Sequence, residues 1–152
     1  MRMADLKKYT TVDDAMAFAR FAYHGLEDKA GLDYLAHPVR VADTVKRRGG
    51  VPYIQVAALL HDVIEDTVIT EQMLLDLGFH RDAVEVIVLL TRTNDVEPDE
   101  YYRRIKEHPG ALMVKLADIE DNMDESRLSY LPPKVQERLR KKYSHALNVL
   151  SA

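Results

Sequence analysis

The chain has 152 residues, of which 47% are hydrophobic and 30% charged, the profile of a soluble globular protein of one-domain size. A net charge of -4 gives no global basic field to favour nucleic acid or an anionic membrane. The absence of cysteine excludes disulfides, thiol catalysis and thiolate metal sites.

The opening MRMADLKKYT lacks the apolar segment of a signal peptide. No apolar run approaches the roughly 18 residues of a membrane span. A cytoplasmic protein is expected, with no DNA, RNA or membrane partner.

Helical periodicity dominates and no alternating strand pattern stands out. TTVDDAMAFARFAYHG starts at a threonine cap, carries Asp13 and Asp14 in its first turn, and can end at Gly25. EDKAGLDYLA reads as a loop. HPVRVADTVKRRGG begins with Pro38 at a first helical position and stops at Gly49-Gly50. PYIQVAALLHDVIEDT opens on Pro52, and its apolar residues cover nearly all faces, so it should be central. TEQMLLDLG is a short helix closed by Gly78, and HRDAVEVIVLLTR is apolar enough for the core. After the loop TNDVEP come DEYYRRIKEHPG, ALMVKLADIEDNMDES and PPKVQERLRKKYSHALNVL. The expected fold is all-α, one domain over residues 1–152 built from about eight helices.

A few polar residues interrupt apolar helices. His61 and Asp62 follow AALL, Asp118 interrupts ALMVKLA, and His37 opens a helix. Charged groups are rarely buried unless they are paired or bind a metal. Neutral imidazole and carboxylate are common ligands of divalent ions. Two His and two Asp from three segments would make an open metal site. Consecutive residues point about 100° apart on an ideal helix, but groups at a helix end can converge. Asp118 and Asn122 share a helix face as an i,i+4 pair. Glu65 and Asp66 lie one turn beyond His61 and Asp62, in place to take a proton from an attacking water. The plainer alternative is a helix that simply becomes exposed at His61. Lys115, a turn before Asp118, and Arg127, after the last motif, are placed to reach a phosphate. The alternative for Lys115 is a surface ion pair.

YLAHPVRVA, ALLHDVIEDT and VKLADIEDN, in that order, resemble the hydrolase domain of the Rel/SpoT alarmone synthetase-hydrolases, within the HD phosphohydrolase superfamily. The resemblance spans roughly residues 12 to 128. It implies an all-α fold holding one divalent ion, typically manganese. It also implies release of the 3′-pyrophosphate from guanosine tetra- or pentaphosphate (ppGpp or pppGpp). The implied ligands are His37, His61, Asp62 and Asp118. Glu65 and Asp66 match the acidic pair that orients or activates the attacking water, and Asn122 matches a nucleotide contact. Lys29 and Tyr34 fall in the loop where the family holds nucleotide and phosphates.

The chain departs from that pattern at three points. Asp28 stands where the family often has a cation, and Asp121 where it often has His. The length leaves no room for a synthetase or regulatory domain, so a small stand-alone hydrolase is expected. Two alternatives are a hydrolase of another nucleotide phosphate and an inactive nucleotide-sensing module. A homo-oligomer is left open.

Overall fold

The computed structural model describes residues 11–152, so the reading of MRMADLKKYT lies outside the described residues. Helix ends follow local signals. Thr11 accepts a hydrogen bond from the Asp14 amide, and the Asp14 carboxylate accepts one from the Thr11 amide. This capping box starts α1 (Val12–Ala22). Then come α2 (Ala36–Arg47), α3 (Pro52–Leu60), α4 (Val63–Asp66), α5 (Glu71–Asp76) and α6 (Arg81–Leu90). They are followed by α7 (Pro98–Lys106), α8 (Pro109–Asn122), α9 (Glu125–Leu128) and α10 (Pro133–Ser151). No strand occurs among the described residues, only an isolated bridge between Glu27 and Asp33. The fold is all-α, as expected.

Three helix boundaries differ from expectation. α2 starts at Ala36, which makes Pro38 its third residue. Proline is tolerated there because the first four amides of a helix have no partner within it. The helix expected over PYIQVAALLHDVIEDT is interrupted at His61 and Asp62, and α4 is a separate turn. The tail of ALMVKLADIEDNMDES likewise leaves the helix at Met123, and Asp124 caps the one-turn α9. These two extra turns account for ten helical segments among the described residues in place of eight.

The end of α2 shows how a close approach is made. The Gly49 amide donates to Lys46 O at 3.1 Å and the Gly50 amide to Val45 O at 2.8 Å. Gly49 takes φ +86°, so this is a Schellman cap. It turns the chain tightly beneath α8. A Cβ on Gly50 would lie 2.4 Å from Val45 Cγ1 and 3.1 Å from Met113 Sδ.

α3 is the central helix, packed against α1, α2, α6 and α8. Ala57, Ala58, Leu59 and Leu60 are completely buried. Burying a leucine side chain contributes about 1.5–3 kcal/mol, so this run pins the C-terminal end of α3 in the core. α10 closes the fold against α7 and α8. Among the described residues, no helix is long and apolar enough to cross a membrane.

Gly50→Ala should lower stability by about 1–3 kcal/mol, because the added methyl overpacks a contact with no slack. Chemical denaturation of the two proteins measures the difference. Equal midpoints would mean that the α2–α3 turn yields without cost.

Candidate active site

Three polar residues are buried among the described residues: His61 (2% exposed), Asp118 (5%) and His37 (7%). They meet at one point. His37 comes from the first turn of α2, His61 from the C-cap of α3, and Asp118 from α8. Asp62 follows at the break between α3 and α4, with φ -103° and ψ 3°. The break gives Asp62 a backbone outside the α3 helix, and it offers a carboxylate oxygen to the same point. One donor atom from each of His37, His61, Asp62 and Asp118 lies within 4.8 Å of all the others.

Hydrogen bonds fix which atoms face inward. His61 Nδ1 is 2.6 Å from Ala58 O, and His37 Nδ1 is 2.7 Å from Asp121 Oδ2. Both Nε2 atoms face Asp118 Oδ1, at 2.8 Å from His37 and 3.2 Å from His61. Asn122 Nδ2 is 3.2 Å from the same oxygen, and Lys115 Nζ is 3.0 Å from Asp118 Oδ2. The Tyr34 hydroxyl donates to Asp62 Oδ2.

The charges are strongly coupled. Burial opposes a charge on His37, but hydrogen bonds to Asp118 and Asp121 prevail and push its pKa up. Burial opposes a charge on His61 too, and Asp62 and Asp118 overcome it. Burial works against the Asp118 carboxylate, yet Lys115 and both imidazoles hold it well below the usual carboxylate range. Positive charge at the two imidazoles is therefore favoured beside the two carboxylates. A divalent ion would supply the same positive charge and free both Nε2 atoms as ligands. The donor set therefore fits a divalent metal ion.

The acidic pair beyond the cluster divides. Glu65 Oε1 accepts a hydrogen bond from the Arg92 amide at 2.7 Å, which ties α4 to the loop after α6. Asp66 is exposed at the cavity side, and its pKa is pushed up to about 6 by partial desolvation and by the charges of Asp62 and Glu65. Both carboxylates stay close to Asp62, with one oxygen from each of the three mutually within 4.8 Å.

A cavity of about 510 Å³ opens over the cluster, within the range of small-ligand sites. Every expected site residue except His61 lines it, from Lys29 and Tyr34 to Arg127. His61 lies behind the wall. Lys115 pairs with buried Asp118 rather than with a surface acid. Arg127 donates to Asp121, through the backbone oxygen at 2.9 Å and through Oδ1 at 2.6 Å. The Asp28 carboxylate accepts from the Ala30 and Leu32 amides, both at 2.9 Å, so it closes its own loop.

Sequence reasoning had no role for Arg40, Arg92 or Lys142, all of which line the cavity. Arg40 Nε lies 2.8 Å from Asp121 Oδ1. Asp121 thus joins His37, Arg40 and Arg127. Its signal was present in the sequence as a departure from the family pattern three residues after Asp118.

The model of the HD domain family matches residues 15–108, more than half of the chain. The chain belongs to the HD domain family. Its HD dipeptide is His61-Asp62, and the family match also takes in His37. A Synechocystis protein named as a probable guanosine-3′,5′-bis(diphosphate) 3′-pyrophosphohydrolase is 33% identical, over 82% of this chain and 18% of that protein. A Haemophilus influenzae protein named as the same hydrolase is 32% identical, over 81% of this chain and 19% of its own length. A Mus musculus protein of that name is 34% identical, over 60% of this chain and 55% of its own length. The chain therefore spans less than a fifth of the two bacterial relatives and about half of the mouse one. A solved structure, described as a metazoan ortholog of SpoT that hydrolyzes ppGpp, superposes with a TM-score of 0.74 at 21% identity. That match covers 91% of this HD domain chain and 84% of the other, and it establishes the shared fold.

Asp121→Ala removes the carboxylate that orients the His37 ring. Loss of such a partner costs about 10–100-fold in metal affinity. Calorimetric titration with manganese should show that loss with the helical circular dichroism unchanged. Equal affinity in the two proteins would leave Asp121 no role in orienting the ligand.

Proposed function

We propose that this HD domain is a metal-dependent hydrolase of phosphorylated nucleotides that releases pyrophosphate from the 3′ position of ppGpp or pppGpp. One observation carries the reading: His37, His61 and Asp118, buried among the described residues, converge with Asp62 as a metal donor set at a cavity that His37, Asp62 and Asp118 line. The names of the relatives support the choice of substrate. The proposal takes residues 1–152 as one phosphohydrolase domain. It takes the cytoplasm as the compartment and manganese as the ion, as the resemblance to the alarmone hydrolases implies.

His37, His61, Asp62 and Asp118 would hold the ion. When bound, it would polarise a phosphoryl oxygen and make a neighbouring water more acidic. The protein's own groups do the rest. Asp66 accepts a proton from the attacking water, for which a carboxylate with a pKa pushed up to about 6 is suited. Glu65, anchored by the Arg92 amide, keeps α4 in register and orients that water. The water oxygen joins the phosphorus next to the ribose. The bond from that phosphorus to the 3′ oxygen breaks, and the 3′ oxygen leaves as a hydroxyl with a proton. Asn122 and Lys115 keep Asp118 aligned, and their exposed edges meet the substrate. Tyr34 orients Asp62 and forms the wall for the nucleoside, while Lys29 stands at the phosphate side and Arg127 is engaged by Asp121.

A competing reading, hydrolysis of a different nucleotide phosphate, rests on Asp28. That carboxylate is held by two loop amides, which turns one of its oxygens to the backbone and away from the ligand space.

Pyrophosphate release should be measured with manganese on ppGpp, GTP, ATP and deoxynucleoside triphosphates. Preference for ppGpp is expected. Asp66→Asn should lower kcat by about 10²–10⁴-fold, the usual contribution of a positioned acid or base, with manganese affinity retained. Full turnover in that variant would rule the assignment of Asp66 out, and a preference for a substrate without a 3′-diphosphate would sink the ppGpp reading.

A further inference from the structure

The cavity has a second charged wall that the hydrolytic roles do not use. Arg92, just after α6, and Lys142, on α10, both line it. Among the described residues neither has an acidic side chain at ion-pair distance. On α10, Arg140 pairs with Glu125 and Lys141 with Glu137, whereas Lys142 faces the cavity together with Arg92.

Both are held in place by aromatic rings. The Arg92 guanidinium lies 5.2 Å from the Tyr101 ring centre and 5.9 Å from that of Tyr102. Its backbone is fixed by Glu65. Lys142 Nζ lies 5.3 Å from the Tyr143 ring. Lys115 Nζ is also 5.4 Å from Tyr101, while it holds Asp118. Tyr101 is therefore a shared footing for Arg92 and for the lysine that reaches the metal donors, so the second wall adjoins the donor cluster. Burial, and then the charges of Arg92, Lys115 and Lys29, lower the pKa of Lys142. Like charges gathered on a concave wall repel one another, and a bound anion relieves that repulsion.

We propose that Arg92 and Lys142 seat the outer phosphoryl group of a diphosphate whose inner phosphoryl group faces the His37, His61, Asp62 and Asp118 cluster. The proposal rests on the hydrolase reading above and adds to it the two residues that hold the outer phosphoryl group. A lone phosphoryl group would be satisfied at the donor cluster. A second one extends along the wall, where the planar guanidinium offers two parallel donors and the ammonium a point charge. The same seat would hold the leaving pyrophosphate.

The test uses inorganic pyrophosphate and orthophosphate as probes, titrated into manganese-loaded wild type, R92Q, K142Q and the double variant. Wild type should bind pyrophosphate at least tenfold more tightly than orthophosphate. Each charge-assisted contact to phosphate is worth about tenfold or more, so each single variant should lose that much for pyrophosphate only. The double variant should bind the two anions alike, R92K should recover part of the loss, and manganese affinity should stay the same in all. A pyrophosphate preference that survives in the double variant, or is absent from wild type, overturns the seat. The expected losses in a protein that hydrolyses none of the nucleotides would support the seat and overturn the hydrolase reading instead.

Discussion

Asp118 is a carboxylate sunk into an apolar helix packing, and the site is arranged around the need to neutralise it. An isolated ionised carboxylate in such surroundings is prohibitively costly. Four donors answer that need: two imidazoles and an amide on one oxygen, and the Lys115 ammonium on the other. Lys115 and Asn122 come from the same helix as Asp118, at i−3 and i+4, so α8 supplies the acid and part of its compensation together. The imidazoles come from α2 and α3, two of the helices against which α8 packs. The charge on Asp118 thus couples the register of three helices to one point in space. Its partners are themselves held: Asp121 and Ala58 O fix the outer nitrogens of the two rings.

The interruption of α3 serves the same end. A continuous helix would carry His61 and Asp62 to directions about 100° apart. Ending α3 at Leu60 leaves His61 as its cap and releases Asp62 to non-helical angles, while the fully buried AALL run keeps the helix end from moving. The short α4 then restarts with Glu65 and Asp66 on the cavity side. Glu65 links this turn to Arg92, so the acidic pair and the cationic wall share a support.

Much of this was legible in the sequence. The eight long helices were marked by caps, prolines and glycines acting one element at a time, and the metal donors by polar residues where apolar ones should stand. The break at His61 was not legible. Its residues are good enough helix formers, and what ends α3 is the tertiary arrangement around Asp118, which local propensity does not contain. The partners of Asp121 were hidden for a related reason. Arg40 and Arg127 lie 81 residues apart and 6 residues away from Asp121, respectively, and only packing brings them together. Arg92 and Lys142 carried no motif at all. Their meaning lies in facing the cavity with no ionic partner among the described residues, a property that exists only in three dimensions.

The two departures at Asp121 and Asp28 bear on how positive charge is distributed in the cavity. An acid in place of histidine beside His37 strengthens the hold on the ring, but it adds a negative charge at the cavity wall. Arg40 and Arg127 both turn to Asp121, and their guanidinium groups are thereby spent on the protein. Asp28, for its part, closes the loop before His37 through its own amides and supplies no cation. With those positions committed, the charge left for an anionic ligand falls to Lys29, Arg92 and Lys142, on the loop, the end of α6 and α10. The cationic side of this cavity is therefore shifted toward α10 and the α6–α7 loop by the same substitutions that tighten the donor cluster.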